Sequence, residues 1–280
     1  AMEIIVAKRA GFCFGVKRAI DITFDLAKDT KEGIYTLGPL IHNPQVVQKI
    51  IMQGVSPIED THFPKIKTLI IRTHGVSPKV YDEISKVGYK IVDATCPFVK
   101  KAQQHAQTLK EEGYQVIILG DKKHPEVQSL LGFAGDNVII TNINEPLPPL
   151  KNKVGIIVQT TQPLESLEKL VCQVIRSTRE VKVYNTICDS TALRLEETKE
   201  LAKTVDAIII VGGKNSANTT QLTNLSRSIC AKVYHIETAD EIQKKWFKGD
   251  KKIGITGGAS TPQWIIDEVV EKIREISFRR

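Results

Sequence analysis

The chain has 280 residues, 41% hydrophobic and 25% charged, with Lys and Arg outnumbering Asp and Glu by seven. That is enough apolar content for one large domain or two to three small ones. No apolar run approaches the roughly 18 residues that a membrane span needs, and the opening residues resemble neither a signal nor a transit peptide, so no membrane role is expected and the cytoplasm is the expected setting. Ala1 ahead of Met2 is set aside as an expression remnant. The basic residues are scattered along helix-like stretches rather than gathered in a tract with aromatics, so no nucleic-acid partner is expected, while an anionic substrate or acidic protein partner suits the surplus. Five cysteines, an odd number, argue against a disulfide framework and for metal or catalytic use.

In chain order, the first predicted element is the β-branched run of EIIVAKRAGFC, which ends at Cys13 and gives way to an amphipathic helix, FGVKRAIDITFDLAK. Two strand-and-loop stretches follow, GIYTLGPLIHNP with His42 and LIIRTHGVSP with His74. YKIVDATC then leads to Cys96 and the helix PFVKKAQQHAQTLKEEG. The next strand-and-loop stretches are QVIILGDKKHPE, which holds His124 and Glu126, and GIIVQTTQP, which holds Thr160. Cys172 falls in the helix LESLEKLVCQVI and is expected to pack in the core. VKVYNTIC ends at Cys188, and DSTALRLEETKELAK forms the helix beyond it. DAIIIVGGKNSAN carries Ser216 and Asn218, and IGITGGASTP carries Ser260. Between them Cys230 is expected to close a helix before the strand VYHI and to be buried.

These elements form one pattern written three times. Cys13, Cys96 and Cys188 are 83 and 92 residues apart, and His42, His124 and Ser216 follow them at offsets of 29, 28 and 28. His74, Thr160 and Ser260 follow at 61, 64 and 72. The strand runs are short, rich in Ile and Val and nearly continuous in apolar residues, as parallel strands covered by helices require. The expected fold is therefore α/β, three pseudo-repeated small units. Pro at positions 44, 78, 125, 163 and 262 is expected to open helices, which puts the polar residues beyond strand carboxyl ends, where open α/β sheets bind ligands. Packing about a pseudo-threefold axis would bring the three cysteines together; a tandem array would keep them apart.

Converging cysteines at helix amino ends suggest a metal centre, because the helix dipole favours a negative ligand there. Zinc would call for a fourth ligand at short spacing, which is missing, whereas an iron-sulfur cluster accepts ligands scattered along the chain. With only three thiolates, a 4Fe-4S cluster keeps one iron open. Around it, His42, His74, His124, Ser216, Asn218 and Ser260 make a donor-rich hollow suited to phosphate or diphosphate. Glu126, in the first turn of a helix, can hold a raised pKa and donate a proton, with Thr160 as relay. His62, His105 and His235 have no matched positions and are read as ordinary.

The motifs AGFCFGVKRAI, TLGPLIHNPQVV, RTHGVSP, DATCPFV, GDKKHPEV, VQTTQ, NTICDST, GGKNSANT and GASTPQW resemble, in order from residue 10 to 264, the family of 4-hydroxy-3-methylbut-2-enyl diphosphate reductases. The resemblance implies a trefoil of three α/β domains, 14–96, 97–188 and 189–280 completed by 1–13, around one 4Fe-4S cluster. Cys13, Cys96 and Cys188 match its three ligands, and one iron stays open. It implies that His42, His74, His124, Ser216, Asn218 and Ser260 hold the diphosphate, and that Glu126 and Thr160, beside His124, handle the proton and the substrate hydroxyl. Ala217 departs from the pattern, since some members carry a second serine there. The implied reaction removes the allylic hydroxyl of (E)-4-hydroxy-3-methylbut-2-enyl diphosphate to give isopentenyl and dimethylallyl diphosphates, with a ferredoxin or flavodoxin as electron donor. A cluster-bearing sensor of a phosphorylated metabolite and a zinc-dependent hydrolase are the rival readings.

Overall fold

The structure is a computed structural model that describes residues 2–29, 33–59 and 66–278; His62 lies outside the described residues. In chain order it contains β1 (Glu3–Val6), α1 (Phe14–Asp29), β2 (Ile34–Leu37), α2 (Pro44–Met52), β3 (Val55–Ile58), β4 (Thr68–Ile71), α3 (Pro78–Lys86) and β5 (Lys90–Asp93). There follow α4 (Pro97–Glu111), β6 (Gln115–Leu119), α5 (Pro125–Ala134), β7 (Val138–Thr141), β8 (Lys153–Val158), α6 (Leu164–Val174) and β9 (Glu180–Val183). The last third holds α7 (Asp189–Thr204), β10 (Ala207–Val211), α8 (Ala217–Arg227), β11 (Val233–Ile236), β12 (Lys252–Gly257) and α9 (Gln263–Phe278).

The strands form three parallel four-stranded sheets, ordered β3-β2-β4-β5, β7-β6-β8-β9 and β11-β10-β12-β1. The winding is the same each time. The first strand of a set has its successor on one side and the third strand on the other, so the direction of travel reverses between strands one and three. That reversal is a topological switch point, where a crevice opens at the carboxyl ends of the strands. The fourth strand, β5, β9 or β1, is always an edge, and the next helix begins just after Cys96, Cys188 or Cys13.

Composition explains which strands are central. β4, β6 and β10 are buried along their whole length, and β8 and β12 at every residue after the first. The edge strands β1 and β9 are exposed at both ends, and their sequences EIIV and EVKV carry the charges that solvent contact allows. In the β6 sheet, Val116, Ile118 and Ile157 bury one face against Ala102, Ala106 and Leu109 of α4 and Leu130 of α5. Ile117, Leu119, Ile156 and Val158 bury the other against Leu167, Leu170 and Val174 of α6. Side chains alternate across the strands, so a near-continuous apolar run feeds both faces. Each such side chain contributes about 1.5–3 kcal/mol by leaving water.

By packing, the chain divides into two compact units, one of Ala1–Val16, Ile41–Val46 and Asp189–Arg280, the other of Lys17–Leu40 and Val47–Cys188. The first contains the β10 sheet, and the second contains the other two sheets.

Three expectations need correction. Pro44, Pro78 and Pro125 open their helices, but α6 and α9 begin one residue after Pro163 and Pro262, and Pro163 is the cap of α6. Cys172 is exposed. The buried stripe of α6 runs through Leu167, Leu170 and Val174, and a position two residues past Leu170 points to the opposite side. Cys230 is buried as expected, but it stands three residues beyond the end of α8 rather than on it.

Candidate active site

Each of the three repeated cysteines is fastened to the same place in its sheet. The backbone N–H of Cys13 donates to Ala259 O, that of Cys96 to Thr73 O and that of Cys188 to Thr160 O, each at 3.0 Å. All three acceptors lie in the loop after the third strand of the winding, and all three cysteines directly precede a helix. The thiols are half-buried, and none of the five cysteines is in a disulfide. Three soft sulfur donors at helix amino ends, each built into the switch-point side of its sheet, fit a thiolate-held cluster, since the dipole favours negative charge there.

The β6 sheet positions the acid. His124 caps α5, its Nδ1 accepting the Glu126 N–H at 3.2 Å, and Glu126 takes the second position of that helix. Glu126 is 2% exposed and carries its carboxyl to the loop after β8, where Thr160 N–H donates to Oε1 at 2.7 Å and Thr160 Oγ1–H to Oε2 at 2.8 Å. Desolvation raises its pKa from 4.5 to about 7, overcoming the two hydrogen bonds from Thr160, which pull the other way. With Nδ1 as an acceptor, the neutral imidazole of His124 carries its proton on Nε2. His74, in the loop after β4, meets His124 edge to face with ring centroids 5.2 Å apart. The repeat therefore brings His74, His124, Glu126 and Thr160 together in one unit.

The β10 sheet builds a different lining. Ser216 caps α8, its Oγ accepting the Thr219 N–H at 3.3 Å. Asn218 Oδ1 accepts the Ala259 N–H at 2.9 Å, tying the loop after β10 to the loop after β12. Asn218 is 4% exposed, and its Nδ2 finds no hydrogen-bond partner among the described residues. A buried amide donor left over beside a helix amino end is free to donate to an anion. Ser260 Oγ–H donates to His42 O at 3.2 Å, which joins His42 to the same lining. Glycine is required here by close approach: a Cβ on Gly213 would come within 2.4 Å of His42 O, and one on Gly258 within 2.1 Å of Thr219 Oγ1.

Two buried polar groups escaped the sequence reading. Thr219 is fully buried with no partner for its Oγ1 among the described residues, directly under the Gly258 backbone. Gln159 accepts the Asp121 N–H at 3.0 Å, while its Nε2 is buried without a partner among the described residues. Both lie inside quoted motifs, GGKNSANT and VQTTQ, but nothing in their residue type announces burial. His105 and His235 stand apart from this lining, His105 stacked on Tyr184 and His235 Nε2 bonded to Gly212 O at 2.9 Å. Among the described residues no helix is long and apolar enough to cross a membrane.

The chain matches the family model described as LytB protein over residues 4–274. Among curated relatives, a protein of Pelobacter propionicus is 49% identical over 99% of both chains, and one of Aquifex aeolicus is 45% identical over 98% of this chain and 97% of its own. Both are named 4-hydroxy-3-methylbut-2-enyl diphosphate reductase. A solved structure of (E)-4-hydroxy-3-methyl-but-2-enyl diphosphate reductase, the terminal enzyme of the non-mevalonate pathway, is 42% identical and covers 98% of this chain and 100% of its own, with TM-score 0.71. The structure of the Plasmodium falciparum reductase is 27% identical and covers 96% of this chain and 87% of its own, with TM-score 0.89.

Proposed function

This chain belongs to the LytB protein family and is an oxidoreductase, and from that premise we propose that it reductively removes the allylic hydroxyl of (E)-4-hydroxy-3-methylbut-2-enyl diphosphate. The C–O bond breaks, and two electrons and two protons enter. One proton leaves with the oxygen as water and the other ends on carbon. Protonation at either of two allylic carbons gives isopentenyl or dimethylallyl diphosphate. Cys13, Cys96 and Cys188 would hold one 4Fe-4S cluster with one iron lacking a cysteine; when bound, it supplies single electrons and a Lewis-acid vertex. The three-domain partition at these cysteines, 14–96, 97–188 and 189–280 with 1–13, belongs to the same proposal.

The protein's own residues do the rest. Ser216, Asn218, Ser260 and the amino end of α8, with His42, His74 and His124, donate to the diphosphate and fix its orientation. Glu126 holds the proton. A carboxyl with a pKa near 7 is protonated in about half of the molecules at neutral pH, the balance that general acid catalysis favours. When Glu126 carries that proton, its O–H donates to Thr160 Oγ1, and the threonine hydroxyl turns its own hydrogen toward the substrate oxygen. Burial excludes bulk water from this relay. The single observation that carries the reading is this buried carboxyl, bonded twice to Thr160 across the switch point of its sheet.

The cytoplasm is the proposed setting, where thiols stay reduced. An oxygen-free assay with synthetic substrate and reduced viologen dye, reading both products by mass spectrometry, tests the proposal. Formation of the two diphosphates supports it. Substrate binding without turnover would favour a sensor, and zinc without iron or sulfide in the purified protein would favour a hydrolase.

A further inference from the structure

The proposed reaction consumes two electrons from outside the chain, so a reductant has to approach the cysteines. One surface of the unit Lys17–Leu40 with Val47–Cys188 is built from segments that adjoin two of them in sequence. On α4, Phe98, Lys101 and His105 fall at i, i+3 and i+7, a single helix face. Phe98 is 38% exposed and stands two residues past Cys96. On the neighbouring edge strand, β9 contributes Lys182, and Tyr184 follows directly after its end. His105 stacks on Tyr184 with ring centroids 3.9 Å apart and planes at 15°, which joins helix and strand into one surface. Cys188 lies four residues beyond Tyr184, a chain reach of at most about 14 Å.

The surface is basic as well as aromatic. Burial, then the charges of Lys101 and Lys182, push the His105 imidazole below its usual pKa. Lys182 Nζ lies 5.4 Å from the Tyr184 ring and 5.8 Å from the Tyr114 ring, and Lys153 Nζ lies 4.3 Å from Tyr114. Two carboxylates border the far end, and both are engaged. Glu112 pairs with Lys182 at 2.6 Å, and Glu180 accepts the Tyr114 O–H at 2.5 Å.

Resting on the reductase reading, we propose that this face of α4 and β9, centred on Phe98, Lys101, His105, Lys182 and Tyr184, is the docking surface for a small acidic one-electron carrier protein. Its two segments adjoin Cys96 and Cys188 in sequence. Exposed Phe98 and the half-buried Tyr184 supply the apolar centre of a small transient interface, and the lysines steer an acidic partner to it. The carrier is oxidised by one electron per encounter, so two encounters complete one turnover. A neutral dye small enough to approach from any side gains nothing from the surface.

The test compares two reductants on the cluster-loaded protein and on a variant combining Lys101→Glu and Lys182→Gln. With a purified, reduced acidic ferredoxin as donor, kcat/KM should fall at least tenfold and its decline with added salt should flatten. With a reduced neutral viologen as donor, turnover should stay within twofold of the parent. Carbodiimide cross-linking of ferredoxin to the parent, mapped by mass spectrometry, should reach Lys101 or Lys182 at low salt. Unchanged ferredoxin-driven turnover, equal losses with both donors, or cross-links confined to other lysines would overturn the docking assignment. Failure of the parent with viologen would instead strike the reductase reading, and cross-linking would still decide the docking surface.

Discussion

Replacing Glu126 by Gln separates what the carboxyl does for the reaction from what it costs the fold. The side chain is 2% exposed, and burial lifts its pKa from 4.5 to about 7. The fold therefore holds a proton that the unfolded chain has already released anywhere between those values. Stability must fall as pH rises through that window and level off above it, because the unfolded state binds fewer protons there. At about 1.4 kcal/mol per tenfold change in proton affinity, the full loss is about 3 kcal/mol. Glutamine is neutral throughout. Its Oε1 can keep the Thr160 N–H, and its Nε2 can donate to Thr160 Oγ1 once that hydroxyl turns, so little hydrogen bonding is lost. The variant should match the parent near pH 5 and exceed it by about 3 kcal/mol at pH 8. Turnover should nevertheless drop by roughly 10² to 10⁴, since no proton remains to be given. Urea unfolding of both proteins, prepared alike at pH 5, 6, 7 and 8, measures the first effect, and the viologen assay measures the second. Stability profiles that run parallel across that range, or turnover within a few-fold of the parent, would refute the reasoning.

Other substitutions address the remaining parts of the site. Cys188→Ser should lose bound iron and its visible absorbance, while Cys172→Ser, altered on the exposed side of α6, should keep both; iron analysis and absorption spectra decide it. Asn218→Leu removes the unpartnered buried donor and the acceptor of the Ala259 N–H. Steady-state kinetics should show KM for the diphosphate raised by about 10- to 100-fold with kcat changed far less, the loss of one charge-assisted hydrogen bond. Gly213→Ala drives a methyl to within 2.4 Å of His42 O, so the loop after β10 must shift. That strain should lower stability by about 1–3 kcal/mol, read from the urea midpoint.

The sequence was most legible where one residue type recurs against an unchanging background. A cysteine closing a β-branched run and opening a helix occurs three times, and the structure places all three at the same station. β3 and β7 were harder. β3 is four residues, VSPI, with Pro57 inside it, a composition that only an edge strand tolerates, and β7, VIIT, lacks any polar alternation to set it apart. The Cys172 expectation failed because a short helix holds apolar residues on more than one side, and only packing decides which row is covered. Arg194 shows the same limit for charge. It falls in the charge-rich helix α7, yet it is 3% exposed, with its guanidinium donating to the carbonyls of Arg9 and Gly257. Thr219 and Gln159 were invisible for a related reason: whether a hydroxyl or amide is buried depends on backbone brought from a different loop.

Threefold repetition supplies equal positions, and the chemistry comes from breaking that equality. After the first strand of the winding the sheets offer His42, His124 and Ser216; after the third they offer His74, Thr160 and Ser260. Among the described residues, only the β6 sheet adds a carboxyl at the second residue of the helix after its first strand, Glu126 of α5, and only there does the opposite loop present a hydroxyl that meets it. A carboxylate at the matching place on α8 would sit beside Asn218, where the proposed diphosphate needs donors, and would repel it. A serine or amide in place of Glu126 would remove the proposed proton source. One sheet therefore carries the acid, while the matching first-turn positions of the other two hold amides, Gln45 and Asn218. In the proposed reading, the loops that hold only hydrogen to share bind the anion, and the loop that also holds a proton to lose delivers it. The cysteines escape this division because their proposed role needs the same donor three times, and their backbone bonds to the third-strand loops are correspondingly alike.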